Sequence, residues 1–242
     1  MSDYVLSYNG VALQNAVPGA RVLDVVVQPL PISVSKLERL MMDGSNFVRK
    51  RVMQRTITIE LELPLNDAVG AYAENARKLR SWAEASEEKE LEVPDYPSKK
   101  IASILTGISD ISINEWYKPV KLTFTAFSEP RFVSLTESEG AVGTQFTVAG
   151  DAEVRPKITH VVSSRLSAPE WTLDSSHSIR LTGTYSSGTI VIDLEKGYVS
   201  RNGSSIMTEL NQNSRFIGYL KGNHTITGPS GGAIAWRERW ND

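Results

Sequence analysis

From Thr189 to Trp240 the chain reads as short strand-forming runs stitched together by turn residues: Thr189-Ile-Val-Ile-Asp-Leu194, Lys196-Gly197, Tyr198-Val-Ser200, Arg201-Asn202-Gly203-Ser204, Phe216 to Leu220, Lys221-Gly222-Asn223, Thr225-Ile226-Thr227 and Trp236-Arg-Glu-Arg-Trp240. Asn-Gly accepts positive φ at both central positions of a two-residue hairpin, so Asn202-Gly203 predicts a hairpin, and the Gly and Asn around residue 222 predict a second tight reversal. A stretch patterned in this way folds as a β-sandwich, an architecture that more often binds than catalyses.

The first half of the chain carries a different pattern. Val22-Leu-Asp-Val-Val-Val27 is a β-branched apolar run closed by Gln28-Pro29-Leu30-Pro31, where the prolines withhold ladder donors. Thr56 to Leu63 alternates strictly, with Ile57, Ile59, Leu61 and Leu63 on one face and Thr56, Thr58, Glu60 and Glu62 on the other. After Pro64, Asn66 or Asp67 can cap a helix in which Val69, Tyr72, Ala73, Ala76, Leu79 and Ala83 recur at helical spacing until Ser86. Arg77, Lys78, Arg80, Glu84 and Glu87 give that helix a solvated outer face, so it packs on one side of a sheet. Val120 to Ala126 alternates again, with Val120, Leu122, Phe124 and Ala126 inward, and Glu129-Pro130 ends it. Glycines 140, 143 and 150 loosen the segment from Thr136 to Asp151, and Lys157-Ile-Thr-His-Val-Val162 starts a second set of strands. The reading is a mainly β chain with one helix, an α+β arrangement: an N-terminal sandwich domain with its helix over 1–135 and an all-β sandwich over 136–242. The length of 242 residues accommodates two domains.

Several chemistries are excluded or unsupported. Zero cysteines remove disulfides, thiolate nucleophiles, thiolate metal sites and Fe–S clusters together. His160, His177 and His224 stand apart, without the paired spacing of zinc ligands, so structural roles outweigh ligation for each. The one Gly-x-Ser-x-Gly spacing, in Gly228-Pro-Ser-Gly-Gly232, lies between strands with no helix after it, so no strand-to-helix nucleophile elbow supports a hydrolase. Gly228-Pro-Ser-Gly-Gly232 lacks the Lys-Ser/Thr and the following helix of a phosphate cradle and reads as a loop. Asp193 and Glu195 fall on a strand and its turn, where solvent-facing roles outweigh a paired-carboxylate glycosidase. A formal net charge of −2 gives no basic field for phosphate neutralisation, so no specific nucleic-acid partner is expected. The residues from Met1 to Tyr8 carry neither a basic nor an apolar leader region, and no window approaches the roughly 18 apolar residues of a membrane helix. The chain is therefore expected to be made and kept in a cytoplasm, without membrane insertion and without a cofactor.

Two groups of residues remain as candidates for contact. Arg49-Lys50-Arg51 with Arg55 forms the one basic cluster, read either as a solvated hairpin tip or as a subunit-interface contact with acidic groups of a neighbouring copy. Trp171, Tyr185, Trp236 and Trp240 are candidate saccharide-stacking rings, because planar aromatics on a sandwich can lie against sugar faces. That use requires at least one of them exposed. Ile234, Trp236 and Trp240 share one face of a strand and Ala235, Arg237 and Arg239 the other, the pattern of a half-buried strand.

In their order these pieces resemble the distal tail protein (Dit) family of long-tailed bacteriophages. The N-terminal half carries a strand, then Lys36-Leu-Glu-Arg-Leu-Met-Met-Asp43-Gly44-Ser45, then Arg49 to Arg55 leading into Thr56 to Leu63. The helix ending Leu79-Arg-Ser-Trp82 and a strand closing on Phe127-Ser-Glu-Pro130 follow. The C-terminal half adds Ile190-Val-Ile-Asp193, Val199-Ser-Arg-Asn202-Gly203, Asn213-Ser-Arg-Phe216, Leu220-Lys-Gly-Asn223 and Trp236-Arg-Glu-Arg-Trp240. None of these motifs is catalytic. The resemblance implies a non-enzymatic virion protein whose N-terminal domain closes a hexameric ring at the end of the tail tube and whose C-terminal sandwich is galectin-like or carbohydrate-module-like. It implies a hub that joins the tube to tail-tip and receptor-binding proteins around a channel for DNA, assembled in the host cytoplasm. Binding of cell-wall carbohydrate by the C-terminal sandwich is the alternative role.

Overall fold

The computed structural model describes residues 5–38, 45–64, 69–109 and 119–241. Two compact units make up the chain, Met1–Phe132 with Asn241–Asp242, and Val133–Trp240.

In the first unit, β1 (Ser7–Tyr8), β2 (Val11–Ala12) and the short helix α1 (Leu13–Ala16) precede β3 (Arg21–Val27), β4 (Ile32–Glu38), β5 (Ser45–Val52) and β6 (Arg55–Glu62). Helix α2 (Val69–Ala83) then leads to β7 (Lys89–Glu92), β8 (Lys99–Ile108) and β9 (Val120–Ala126). The strands run in the order β2-β1-β7-β8-β9-β6-β3, which leaves β3 at one edge. Strand β8 turns the corner: its first half pairs with β7, and from Ile104 onward it pairs with β9, with a register shift between Leu105 and Gly107. The alternation of β6 sends Ile57, Ile59, Leu61 and, just past the strand, Leu63 inward against Leu122, Phe124 and Ala126 of β9, all buried. Tyr8 lies among them, its ring 5.0 Å from Phe124 and 5.9 Å from Trp82 on α2, and its hydroxyl donates to the Ser103 carbonyl.

The buried stripe of α2 is Tyr72, Asn75, Ala76, Leu79, Trp82 and Ala83. Ala73, expected inward, faces solvent, and Asn75 takes the buried place because its amide donates to the Pro64 carbonyl at 3.2 Å. The expected cap at Asn66 or Asp67 lies outside the described residues, as do residues 39–44 of the Lys36–Ser45 motif. Strands β3 and β6 are the proximal half of a longer ribbon. Hydrogen bonds from Gln28 N to Thr56 O and from Met53 N to Pro31 O carry the pairing past the two prolines into β4 and β5, which pair only with each other among the described residues.

The boundary between the units falls within β10 (Phe132–Ser134). Beyond it come β11 (Ser138–Ala141), β12 (Gln145–Val148), β13 (Lys157–Val162), β14 (Leu166–Ser167), β15 (Glu170–Thr172), β16 (Ser178–Arg180) and β17 (Thr184–Tyr185). They are followed by β18 (Gly188–Asp193), β19 (Tyr198–Arg201), β20 (Ser204–Ser205), β21 (Gly222–Thr225), β22 (Gly232–Trp236) and β23 (Arg239–Trp240). A six-stranded sheet in the order β11-β22-β13-β18-β19-β20 presents one transverse row, Ile234-Ile158-Ile192-Val199, to the core. The short pairs β12–β21, β14–β17 and β15–β16 supply the rest of that core, chiefly Phe146, Trp171, Ile179 and Tyr185. Asn202 and Gly203 turn β19 into β20 with φ of 49° and 82°, the two positive values that a tight hairpin of this hand requires.

Four local expectations give way. The segment from Thr136 to Asp151 holds strands β11 and β12, joined at Gly143, whose φ of 89° makes the turn. Phe216 to Leu220 forms no strand; Tyr219 makes a single bridge to Val154. The expected reversal near residue 222 is no hairpin, since β21 pairs with the distant β12. The run from Ile234 to Trp240 breaks at Arg237-Glu238, where Arg237 donates to the carbonyls of Ser134 and Leu135. Among the described residues, a four-residue α1 and a 3-10 turn at Met207–Glu209 join the one expected helix, leaving the chain mainly β.

Candidate functional site

Arg51 is exposed on β5, opposite Ser33, and Arg49 and Lys50 lie on the same strand opposite Ser35 and Val34. Arg55 is parted from them. It sits one strand-period before Ile57 on the inward face of β6, is 0% exposed, donates from Nε to the Gln28 carbonyl at 2.7 Å, and holds its guanidinium 5.3 Å over the Phe132 ring. The phase of the alternation was the signal: counting back by twos from Ile57 puts residue 55 inside.

Of the four candidate stacking rings, Trp171, Tyr185 and Trp236 are interior, at 0%, 2% and 8% exposed, and Trp240 is half-buried. A ring without an open face cannot lie against a sugar. Gly228 backs onto the Trp171 indole so closely that a β-carbon there would stand 2.5 Å from Cδ1. The Tyr185 hydroxyl donates to Glu209, and burial, then that carboxylate, push the phenol far above its usual range. These contacts build a core.

The histidines are equally dispersed. His160 is buried edge-on to Trp171 at 6.0 Å, and burial lowers its pKa. His177 bonds its neighbour Asp174, and His224 bonds the Leu220 carbonyl. Among the described residues no group of three His, Asp or Glu side chains could hold a metal ion, and no helix is long and apolar enough to cross a membrane.

What the structure does assemble is an apolar edge in the first unit. Leu23 and Val26 on β3, Ile32 and Val34 on β4, and Met53 beyond β5 are each about half exposed. Leu23 falls where the register with β6 shifts between Val22 and Asp24. Beside it a cleft of about 840 Å³ runs along Arg21 to Val25, faced by Val5, Leu13 and Asp95. The sequence marked Val22 to Val27 as a strand but not as an edge, because an unbroken apolar run ordinarily belongs to a strand buried on both faces. The charges at Arg21 and Asp24 were the available clue.

Residues 149–240 match the family model for the siphovirus-type tail component, C-terminal domain, SPP1 Dit. That stretch of the chain is similar to a Dit C-terminal domain. No curated protein matches the sequence. Among solved structures, the SPP1 Dit (gp 19.1) protein, described as a paradigm of the hub adsorption apparatus in phages infecting Gram-positive hosts, superposes with a TM-score of 0.80 at 17% identity, over 97% of this chain and 98% of that one. The Dit fold therefore extends over both units. A chain of the phage P2 baseplate in its activated conformation with Ca gives a TM-score of 0.49 at 10% identity, over 96% of this chain and 97% of that one, a likeness too remote to argue from.

Proposed function

We propose that this Dit-like chain is a structural, non-enzymatic virion protein: the hexameric hub at the distal end of a long, non-contractile phage tail. In this reading the hub joins the tail tube to tail-tip and receptor-binding proteins around a central channel through which DNA passes, and it assembles in the host cytoplasm. The observation that carries the reading is the match of residues 149–240 to a tail-component domain. A full-length fold like that of a tail hub supports it.

Physical considerations agree. A head-to-tail interface closes into a ring when the rotation per copy divides the circle, and the first unit offers the exposed strand edge such an interface needs. A net charge near zero suits a channel through which DNA must slip, since tight phosphate binding would slow transit. The burial of Trp171, Tyr185 and Trp236 leaves saccharide stacking by those rings without a surface.

Labelling this chain in purified virions tests the reading. Antibody or gold label is expected at the tail end distal to the capsid, in about six copies per particle. Label along the tube, at the capsid or nowhere in the particle would overturn it.

A further inference from the structure

We propose that Asn9-Gly10 is a self-modification site, where the Asn9 amide hydrolyses through a cyclic imide, and that the fold protects Asn202-Gly203, the same dipeptide in the same kind of turn, from that reaction. The reactants are the chain itself and water.

The chemistry needs no catalyst. The Gly10 amide nitrogen, once its proton has passed to solvent, bonds to Asn9 Cγ and closes a succinimide ring; the Cγ–Nδ2 bond breaks and that nitrogen leaves as ammonia. Water then opens either imide carbonyl, so the products are aspartate and isoaspartate, with one water consumed, one ammonia released and no change of oxidation state. Glycine permits the attack because it has no side chain to crowd its nitrogen.

Both dipeptides turn two-residue hairpins. Asn9 and Gly10 join β1 to β2 with φ of 53° and 74°, and Asn202 and Gly203 join β19 to β20 with φ of 49° and 82°. Both asparagines are exposed. What separates them is the side-chain amide. Asn202 Oδ1 accepts from Thr189 N at 2.8 Å, while Asn202 N donates to the Thr189 carbonyl at 2.9 Å. The Gly188 backbone closes on the same amide, so that a β-carbon there would stand 2.8 Å from both Nδ2 and Oδ1. To present its Cγ to the Gly203 nitrogen, Asn202 must break the Thr189 bond. Asn9 donates from its backbone to the Glu90 carbonyl at 2.9 Å, but among the described residues no hydrogen bond holds its side chain. It borders an open cleft of about 380 Å³, beside Lys78, Ser81 and Glu84, that admits water.

Reaction at Asn9 reaches the core of the first unit. Isoaspartate routes the main chain through the side-chain carboxyl and lengthens a hairpin whose strands pair Tyr8 with Val11 and Ser7 with Ala12. The Val11 carbonyl accepts from Trp82 Nε1 at 2.8 Å, and Tyr8 packs on Trp82 and Phe124. The isoaspartate form is therefore expected to unfold at a lower temperature than the parent chain.

The purified chain is aged in warm, mildly alkaline buffer, with and without denaturing urea, and the two sites are followed by peptide mapping with mass spectrometry. In the folded chain Asn9 is expected to convert about fivefold faster than Asn202, the factor that one ordinary hydrogen bond supplies. Each conversion adds a negative charge, so ion exchange should resolve an acidic form that Asn9→Gln abolishes. In urea the two rates should converge. Equal rates in the folded chain, an Asn9 that stays intact there while converting in urea, or a difference that persists in urea would each overturn the proposal.

Discussion

Replacing Gly150 with alanine should be among the most costly single changes in the second unit. A β-carbon there would lie 2.2 Å from the Arg239 carbonyl oxygen and 2.9 Å from the Arg239 nitrogen. Both are backbone atoms, so relief requires one chain segment to move by about 1 Å or more to reach an ordinary contact. That movement pulls on a clasp. Glu238 Oε2 accepts from Ala149 N at 3.0 Å and Gly150 N at 2.8 Å, while its Oε1 accepts from Trp236 Nε1 at 2.9 Å. Ala152 N also donates to the Arg239 carbonyl at 3.2 Å. Two amide bonds to a charged carboxylate, at about 1.5–3 kcal/mol each, and one ordinary bond of about 0.5–1.5 kcal/mol set the loss at about 3.5–7.5 kcal/mol if all three break. Against the roughly 5–15 kcal/mol by which domains are stable, that is a large share. Urea unfolding followed by tryptophan fluorescence measures it. Gly143→Ala is the control: φ is 89° there, so the change strains the backbone, but nothing stands within 4 Å of the added methyl. That change should cost only about 1 kcal/mol of backbone strain. A Gly150→Ala variant no less stable than Gly143→Ala would refute the clasp.

Other outcomes follow from the same geometry. Because burial lowers the His160 pKa, the unfolded chain binds that proton first; this residue's contribution is complete above about pH 6.5 and declines as pH falls toward the folded value, by at most ~1.4 kcal/mol per pH unit. His160→Gln should remove that part of the pH dependence in denaturant titrations at pH 7.5 and 5.5, and an unchanged slope would contradict the assignment. Ile59→Ala should lose about 2–5 kcal/mol in the first unit, measurable as a lowered unfolding midpoint, because Ile59 is fully buried between the partner strands of β6. Tyr185→Phe should cost about 1–2 kcal/mol by removing the donor to Glu209, and a neutral result would mean that the carboxylate finds water instead.

Much of this architecture was readable from alternation and turn chemistry. The rows Ile57-Ile59-Leu61-Leu63 and Val120-Leu122-Phe124-Ala126 are inward as spaced, and Asn202-Gly203 makes its hairpin, because each signal is local: a two-residue period or a pair of positive φ values. What escaped depended on distant partners. Asn75 displaces Ala73 from the helix stripe because the Pro64 carbonyl is waiting for it, and Arg55 enters the core because the Gln28 carbonyl and the Phe132 ring receive its head. The glycines near residue 140 looked like looseness, yet Gly140 lies in a strand with the Trp236 ring packed over it. The candidate surface was half legible. The basic run Arg49 to Arg51 marked the β4–β5 ribbon, but the free edge of β3 follows from sheet order, which no local pattern encodes.

Negative-stain imaging of the purified chain at high concentration tests the central claim most directly. The account predicts rings with six-fold symmetry and an open centre. Particles that remain single subunits, with or without added tail-tip proteins, or rings closed with a different number of copies, would contradict it.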